Sequence, residues 1–385
     1  MKTTFSLKNI TLILTGLAMS LTFTSCKKRG EGETQVVRIG EYGSMTGSEA
    51  TFGISTHHAI QMVIDEVNAA GGVKGKKLEL ISVDDSGKPE EAVTAVTKLI
   101  TQDKVDVLLG EVASSRSLAA APIAQRYQIP MISPSSTNPK VTEIGDYIFR
   151  VCFTDPFQGK VVAKFAHDDL KAKTAALLID KKSDYSVGLA DFFKQTFTEL
   201  GGQVITEENY IAGDIDFKGQ LTSIKTKNPD IVVVPGYYTE VGLIVKQAKD
   251  LGLKAIFMGG DGWDSPKLVE IGGAAMDGTY FANHYSAEDK DPKVQDFVKK
   301  YRDRYHETPD GLAVMGYDAA LVLVDALKRS VDFSHKAIRD AIASTRSFPA
   351  VTGMITIDDH RNASKPAVML KIESAKLHFV KRVEP

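Results

Sequence analysis

Two short segments of the chain carry hydroxyl side chains in positions where an anion could bind. Residues 110–116 contain Ser114, and residues 133–139 contain Ser135 and Thr137 between two prolines. Each segment directly follows an apolar run. Hydroxyl groups beside the free N–H groups of a helix start suit a carboxylate, because the donors and the helix dipole both favour negative charge. The alternative interpretation is that Ser114 or Thr137 only caps a helix.

Three later segments carry the complementary chemistry, an acid and aromatic rings. Tyr185, Tyr237 and Asp261 each come shortly after an apolar run in the second half of the chain. A carboxylate can hold an ammonium group, and tyrosines can cover a small apolar body. The alternatives are a solvated turn aspartate beside Gly262 and simple packing for Trp263. Hydroxyl donors in one half and an acid with aromatic rings in the other predict a zwitterionic amino acid held between them.

The elements that position these residues alternate between strand and helix. The alternation runs twice, over about 36–150 and 160–282, and includes continuous apolar runs such as 105–109 and 231–234. Such alternation forms parallel sheets, and such runs are typical of strands covered on both faces. We predict an α/β fold with two doubly wound parallel-sheet lobes, and we expect the later helices to return to one of them. Ligands of such sheets bind beyond the carboxyl ends of the strands, where the hydroxyl and acidic segments lie.

Composition and charge exclude several classes of protein. The 385 residues are 43% hydrophobic and 25% charged, and 47 basic against 49 acidic residues leave no basic excess for nucleic acid. Two cysteines, Cys26 and Cys152, cannot build a disulfide scaffold or a zinc cluster. His57 and His58 are adjacent on a predicted helix and point about 100° apart, so they are poor co-ligands for a metal. We predict neither a metal nor a cofactor, and we expect Cys152 to be a buried, small hydrophobic residue.

The first 35 residues are typical of an exported lipoprotein. Two lysines precede an apolar stretch over 10–23. That stretch is too short for a bilayer, since about 14 residues cover only about 21 Å of a roughly 30 Å core. We predict a signal peptide over 1–25, lipidation of Cys26 and a flexible tether over 26–35, and therefore export to the periplasm or cell envelope. An ordinary signal with an incidental cysteine is the alternative.

Several motifs occur in a characteristic order along the mature chain. They are GEYGSMTG at 40–47, NAAGGVKG at 68–75, VDDS at 83–86, the serine pair at 114–115, ISPSST at 132–137, GDG at 260–262 and GYDA at 316–319. In these motifs the chain resembles periplasmic branched-chain amino-acid binding proteins of the leucine–isoleucine–valine kind, which are type I periplasmic binding proteins. The resemblance extends from about residue 36 to the last predicted strand.

The resemblance implies a role for each candidate residue. Ser114 and Thr137 hold the ligand carboxylate with help from backbone groups near Ser135, and Asp261 holds the ammonium group. Aromatic residues border the ligand: Phe52, Tyr185 and Tyr237. Relatives carry Glu or Asp at position 261, and the shorter Asp leaves the identity of the ligand open. Leucine, isoleucine or valine is the default, with other amino acids or amides as alternatives.

The resemblance also implies a hinge of three crossings between the lobes. The crossings are expected near residues 153–155, 282–284 and 368–370. This division assigns 36–153 plus 284–368 to one lobe, and 154–283 plus 369–385 to the other. A ligand that contacts both lobes favours the closed form.

These features predict the substrate-binding protein of an ABC importer, anchored by lipid, which delivers a free amino acid to a membrane permease paired with ATPase subunits. The sequence contains no GxxxxGK[ST] motif, so we do not expect the chain itself to hydrolyse nucleotide. A ligand-binding sensor or receptor is an alternative, because fold alone does not separate the two. A hydrolase is a remote alternative, because the sequence has neither a GxSxG nor an HExxH motif.

Overall fold

A computed structural model describes residues 36–385 of the chain. The predicted signal peptide over 1–25 and the predicted tether over 26–35, with Cys26, lie outside the described residues. No helix within 36–385 combines the length and the apolar character that crossing a membrane requires.

The first part of the described chain forms a five-stranded parallel sheet. Its strands are β1 (Val37–Gly43), β2 (Leu78–Asp84), β3 (Val107–Leu109), β4 (Met131–Ser133) and β5 (Ile148–Arg150), in the spatial order β2-β1-β3-β4-β5. The connecting helices are α1 (Ala50–Ala69), α2 (Pro89–Thr101), α3 (Ser114–Tyr127) and the single turn α4 (Lys140–Glu143).

The chain then enters a second sheet through a helix that the sequence analysis did not predict. The elements that follow are α5 (Asp155–Lys164), β6 (Thr174–Asp180), α6 (Asp184–Glu199), β7 (Gln203–Tyr210), α7 (Lys218–Lys227), β8 (Ile231–Val233), α8 (Tyr238–Asp250), β9 (Ile256–Gly259), α9 (Pro266–Gly272) and β10 (Tyr280–Asn283). Helix α5 starts with an Asp-Pro pair, which also favours a turn, but proline is well tolerated in the first turn of a helix.

The last part of the chain returns to the first sheet and then crosses back. Its elements are α10 (Pro292–Tyr305), α11 (Gly311–Arg329), α12 (His335–Ala343), β11 (Phe348–Ala350), β12 (Gly353–Ile357), β13 (Ala363–Ser364), β14 (Ala367–Glu373) and β15 (Lys376–Val383). Strands β14 and β15 complete a seven-stranded sheet in the order β15-β14-β10-β9-β8-β6-β7, in which β6 to β10 are parallel.

We call the five-stranded sheet with α1–α4, α10–α12 and the small sheet of β11–β13 the first lobe. The second lobe is the seven-stranded sheet with α5–α9. The predicted α/β fold with doubly wound parallel sheets is confirmed. Three connections join the lobes, after β5, β10 and β13. Strand β14 already pairs with β10 from Asn283 opposite Val368, so the third connection lies just before Ala367 and not at the expected 368–370.

Continuous apolar strands build both cores because each sheet is covered on two faces. In β3, Val107 and Leu109 pack in a cluster with residues of α1 and α11, whereas Leu108 between them packs with residues of α2 and α3. In β6, Leu177 faces α5 and α6, and Leu178 faces α7 and α8. Alternate residues therefore supply two different cores, which explains why these strands lack polar alternation. Cys152 is fully buried in the first-lobe core, as expected.

Candidate functional site

The carboxyl ends of strands from both lobes meet around one small cavity. The free space between its lining atoms, counted together with the adjoining solvent, is about 250 Å³. The lining residues come from both lobes: Phe52, Val112, Ser114, Ser135, Tyr185, Tyr237, Asp261, Gly262 and Leu312. The structure thus brings together six of the seven predicted ligand-binding residues, and Thr137 is the one that does not line the cavity.

The wall from the first lobe consists of hydroxyl and N–H groups. Ser114 is the first residue of α3, and its Oγ accepts a hydrogen bond from the Asn138 N–H at 3.2 Å, which leaves its own proton free to donate. Neither proposed hydroxyl caps a helix. The N-cap of α3 is Ala113 and that of α4 is Pro139, and neither cap makes a side-chain hydrogen bond. The capping interpretation of Ser114 and Thr137 is therefore wrong.

The first turn of α3 also supplies unpaired backbone donors. Within residues 36–385, the N–H groups of Ser114, Ser115 and Arg116 make no hydrogen bond. The first N–H groups of a helix have no partner inside the helix, and together with the helix dipole they favour an anion. Thr137 has a buried Oγ1 without a hydrogen-bond partner in the same part of the chain. This wall can therefore solvate a carboxylate without a charged side chain in contact.

The wall from the second lobe centres on the Asp261 carboxylate. Asp261 begins a single 3-10 turn after β9 and is buried. Its Oδ1 accepts a hydrogen bond from Gln158 Nε2 at 2.8 Å, and its Oδ2 lies 3.0 Å from His284 Nε2 and accepts one from Ser135 Oγ at 3.2 Å. The Ser135 bond joins the two walls directly. The interpretation of Asp261 as a solvated turn residue is therefore wrong.

The protonation states of this wall follow from burial and these hydrogen bonds. Burial alone would raise the pKa of Asp261, but hydrogen bonds from His284 and Gln158 outweigh it, and the pKa is lowered. Burial lowers the pKa of His284 to about 4. The imidazole is therefore neutral at pH 7 and donates through Nε2 to an ionised carboxylate. Since a carboxylate offers about four lone-pair positions, Asp261 retains capacity to accept a further donor.

Aromatic rings enclose the remainder of the cavity. Tyr185 and Tyr237 stack with ring centroids 5.3 Å apart, and Phe52 meets Tyr237 edge-on at 5.4 Å. Trp263 is fully buried and donates its Nε1–H to the Val234 carbonyl at 2.9 Å, so its role is packing. Rings from both lobes therefore form an apolar surface beside the polar walls.

The glycines on both sides of Asp261 are required by close packing. A Cβ on Gly260 would lie 2.5 Å from the Tyr185 hydroxyl oxygen, and one on Gly262 would lie 2.8 Å from the Gly236 carbonyl oxygen. Real Cβ atoms do not approach other atoms so closely. The GDG motif therefore places the carboxylate directly against the tyrosine wall.

Several residues of the site were missed by the sequence analysis. Gln158 and His284 position Asp261, while Val112 and Leu312 line the cavity. Asp155, the first residue of α5, is fully buried and neither of its carboxylate oxygens has a hydrogen-bond partner within residues 36–385. Burial raises its pKa to about 8. Asp155 and Gln158 lie in the first turn of α5 at a connection between the lobes, where the rule that sites form at strand ends does not find them. His284 follows β10 and Val112 follows β3, so the rule applies to these two residues.

Polar contacts also join the lobes around the rim of the cavity. On one side, Thr51 Oγ1 lies 3.0 Å from Ser265 Oγ, and Thr239 Oγ1 donates to the Ser48 carbonyl at 2.6 Å. On the other side, the Asp184 N–H donates to Ser115 Oγ at 2.9 Å. The structure therefore has its two walls in contact across the site.

Metal-binding side chains do not assemble into a site in this part of the chain. Among residues 36–385, no group of three or more His, Cys, Asp or Glu side chains is placed to hold a metal ion. His57 instead directs its Nδ1 to Glu41 Oε2 at 2.7 Å.

Comparison with known proteins gives consistent matches over almost all of the described chain. The family model described as periplasmic binding protein matches residues 36–376. A leucine-, isoleucine-, valine-, threonine- and alanine-binding protein of Pseudomonas aeruginosa is 32% identical over 325 residues, which cover 84% of this chain and 86% of that protein.

Two solved structures combine similar sequence with a similar fold. The leucine-binding protein LivK of Thermotoga maritima is 40% identical with a TM-score of 0.87, and the match covers 91% of this chain and 99% of that one. The branched-chain amino acid transporter substrate-binding protein LivJ of Streptococcus pneumoniae, solved with isoleucine, is 34% identical with a TM-score of 0.87, covering 91% and 100%. The chain therefore belongs to the periplasmic binding protein family, whose members are exported substrate-binding proteins and not enzymes.

Proposed function

We propose that this protein captures a free amino acid with a branched apolar side chain between its two lobes and delivers it to the permease of an ABC importer. The observation that carries the proposal is the distribution of groups around this cavity. Hydroxyl and N–H donors line one wall, a single carboxylate lies on the other, and apolar rings lie beside them. The names of the similar proteins from three bacteria support the same class of ligand.

Asp261 is proposed to bind the ammonium group. A buried ammonium without a partner would cost several kcal/mol, so its binding requires an anion in direct contact. Asp261 is the one charged residue that lines the cavity, and its hydrogen bonds with Gln158 and His284 keep it ionised. Burial, together with the charge of Asp261, raises the pKa of Asp155 to about 8, so the Asp155 carboxyl is uncharged at pH 7 and does not compete for the ammonium group.

Ser114 is proposed to bind the carboxylate, with Thr137, backbone groups near Ser135 and the first N–H groups of α3, because the Ser135 hydroxyl already donates its proton to Asp261. Hydrogen bonds from neutral donors to a carboxylate are strong because the acceptor is charged. Thr137 does not line the cavity, so its proposed contribution is through its backbone N–H, which makes no hydrogen bond within residues 36–385.

Phe52, Tyr185 and Tyr237 are proposed to enclose the ligand side chain together with Leu312 and Val112. Burying a leucine, isoleucine or valine side chain contributes roughly 1.5–3 kcal/mol, and these side chains leave no polar group unsatisfied in an apolar pocket.

Delivery requires that the loaded protein be distinguished from the empty one. We propose that the lobes, 36–153 with 284–366 and 154–283 with 367–385, rotate about the three connections and that the permease and its ATPase subunits engage the closed form.

We also propose that lipid on Cys26 anchors the mature chain to the membrane. A Cys26→Ser variant should lose lipid by mass spectrometry and appear in the soluble fraction.

Calorimetric titration with matched ligands tests the binding proposal. Leucine, isoleucine and valine should bind. The analogue 4-methylpentanoate lacks the ammonium group of leucine, and leucinamide lacks its carboxylate. Each analogue should bind roughly 100-fold more weakly, since it leaves one polar wall without its partner. Equal binding of leucine and either analogue would contradict the proposed role of the corresponding wall, and no binding of any amino acid would reject the function.

A further inference from the structure

Arg150 is a buried cation without an acidic partner. It ends strand β5 and its side chain is 0% exposed. The other buried arginine of residues 36–385, Arg116, forms ion pairs with Glu49 at 2.6 Å and Glu111 at 3.2 Å. Arg150 forms no ion pair in this part of the chain, although the charges of Asp155 and Asp358 act on it from outside ion-pair distance. Its Nε, like that of Arg116, has no hydrogen-bond partner there. Burying a charge in this way is costly, so its position needs a physical reason.

The Arg150 guanidinium instead contacts the back of the hydroxyl-rich loop between β4 and α4. It donates to the Ser136 carbonyl, to the Pro139 carbonyl at 3.1 Å and to Thr142 Oγ1 at 3.2 Å. Cys152 Sγ donates to the same Ser136 carbonyl at 3.4 Å. A planar fork with five donors can bridge three oxygen atoms, which a lysine ammonium on this strand could not do with the same geometry.

The Ser136 carbonyl shares a peptide unit with the Thr137 N–H. In a planar trans peptide these two groups point in opposite directions, so this N–H points away from Arg150. The N–H makes no hydrogen bond within residues 36–385. The next N–H, that of Asn138, points to Ser114 Oγ, a cavity-lining group. The peptide thus has a buried cation at its carbonyl end and a free donor at its opposite end, next to the Asn138 N–H that bonds to Ser114.

We propose that Arg150 is a positioning residue for the carboxylate of the bound amino acid, and that its charge acts through the Ser136–Thr137 peptide without contact. The inference rests on the proposed function, because it requires a carboxylate at this loop. A cation at the carbonyl oxygen polarises the peptide and makes the Thr137 N–H a stronger donor. The same cation lowers the electrostatic energy of an anion on the far side of the peptide, since buried charges are only weakly screened.

This arrangement explains why the cation lies behind the loop. A guanidinium in the cavity itself would pair with Asp261 on the opposite wall and close the site without ligand. Behind the loop, it is separated from Asp261 by the peptide and held by oxygen atoms of three residues. The first lobe therefore offers the ligand a neutral surface with a positive potential behind it.

The test compares the preference for leucine over leucinamide in the wild type and in Arg150→Met. Affinities are measured by calorimetry near pH 6, where both ligands carry an ammonium group because an α-amino group has a pKa near 7.7–8.0. Removing the charge should reduce the preference for leucine roughly 10- to 50-fold, mainly by weakening leucine binding. A residue that only supports the fold would weaken both ligands equally, and an unchanged preference in Arg150→Met overturns the inference.

Two further variants keep the test decisive. Arg361→Met is the matched control: Arg361 donates to the Thr142 carbonyl at 2.8 Å but contacts neither the Ser136 nor the Pro139 carbonyl, so its loss should leave the preference unchanged. Arg150→Lys retains the charge and should keep the preference within about threefold of wild type. If Arg150→Met does not fold, loss of preference in Arg150→Lys rejects the inference, and retention supports it.

The outcome also separates this inference from the proposed function. If the wild type binds leucine and leucinamide equally, the site does not recognise a carboxylate and both proposals fail. If the wild type prefers leucine but all Arg150 variants prefer it equally strongly, the binding proposal stands and the role of Arg150 is rejected.

Discussion

The two walls of the cavity differ in whether they carry a charged side chain. The second lobe places a formal charge, the Asp261 carboxylate, on the cavity surface. The first lobe lines the cavity with Ser114, Ser135 and apolar residues and has no charged side chain there. Its nearby cations are kept out of contact, since Arg116 is paired with two glutamates and Arg150 lies behind the loop.

The difference follows from the chemistry of the two ligand groups. An ammonium group is a compact charge with three donors, so one well-placed carboxylate supplies the opposite charge and one free acceptor position, and the other donors need further acceptors. A carboxylate has about four acceptor positions, and several dipolar donors can share its charge without a cation in contact. The walls can then lie close together, joined by the 3.2 Å bond from Ser135 to Asp261, without an ion pair that would compete with the ligand.

The largest effect on leucine binding should come from removing the formal charge of Asp261. Asp261→Asn keeps the shape of the side chain and an acceptor for Gln158 but removes the anion. We expect leucine to bind about 2–4 kcal/mol more weakly, as when one partner of a buried charge pair is lost. Calorimetric titration measures the change. The control ligand is 4-methylpentanoate, whose affinity should not fall, because it has no ammonium group. Equal losses for both ligands would show that Asp261 supports the cavity and does not bind the cation.

The second prediction concerns the buried carboxyl between the walls. Asp155 has a pKa of about 8 in the folded protein, well above its usual value of 3.8. The folded state thus holds its proton up to about pH 8, whereas the unfolded state loses it near pH 4. The stability that this group contributes is fully present below about pH 4 and is lost as the pH rises towards 8.

Asp155→Asn should abolish this loss of stability with rising pH, because asparagine has no carboxyl proton to lose. The free energy of unfolding of the variant should match that of the wild type near pH 4 and exceed it by roughly 5 kcal/mol near pH 8, as measured by urea denaturation at several pH values. Asp277→Asn changes an exposed turn carboxyl and serves as the control, with no such divergence expected. Parallel pH profiles for wild type and Asp155→Asn would exclude an unpartnered buried carboxyl at this position.

The residues that line the cavity were easier to predict from the sequence than the residues that position them. Ser114 and Asp261 follow apolar strands, and the rule for ligand sites in parallel sheets applies to them directly. Asp155 begins the helix that follows the first connection between the lobes, and Gln158 lies one turn into that helix, so no strand end or periodic pattern marks them. His284 follows β10, a strand that the sequence analysis did not predict. Their proximity to Asp261 depends on the relative placement of two sheets, which local sequence patterns do not encode.

Arg150 shows that local sequence patterns can also fail to predict the burial of a residue within a strand. An arginine that follows Ile148 and Phe149 is compatible with a strand end that points to solvent, and 0% exposure was not predictable from that pattern. Two of its three partners are the backbone carbonyl groups of residues 136 and 139, which the side chains at those positions do not reveal. Helix α5 was missed because its Asp-Pro start also favours a turn. The core strands were predictable because burial on both faces requires a particular composition.

The third prediction concerns the first-lobe wall of hydroxyl and N–H groups, from which a single hydroxyl is removed. Ser114→Ala removes one donor to a carboxylate that several other groups also solvate, so leucine should bind about 1.5 kcal/mol more weakly, or roughly tenfold. Ser115→Ala is the matched control, since its Oγ accepts the Asp184 N–H at the rim and does not line the cavity. Its effect should stay within the two- to fivefold loss expected for one rim hydrogen bond. An equal loss in both variants would mean that the first turn of α3 acts as a structural unit and not through Ser114.

The smallest effect should come from the rim, where the two lobes contact each other without the ligand. Thr51→Val keeps the shape of the side chain but removes the 3.0 Å contact between Thr51 Oγ1 and Ser265 Oγ. A partly exposed neutral hydrogen bond contributes about 0.5–1 kcal/mol, so we expect a two- to fivefold loss of leucine affinity. The loss should appear as faster dissociation in stopped-flow measurements, because the contact exists only with the lobes together. Thr94→Val, on the exposed face of α2, should change nothing. If Thr51→Val weakened binding as much as Asp261→Asn, closure of the rim and not recognition of charge would dominate the affinity.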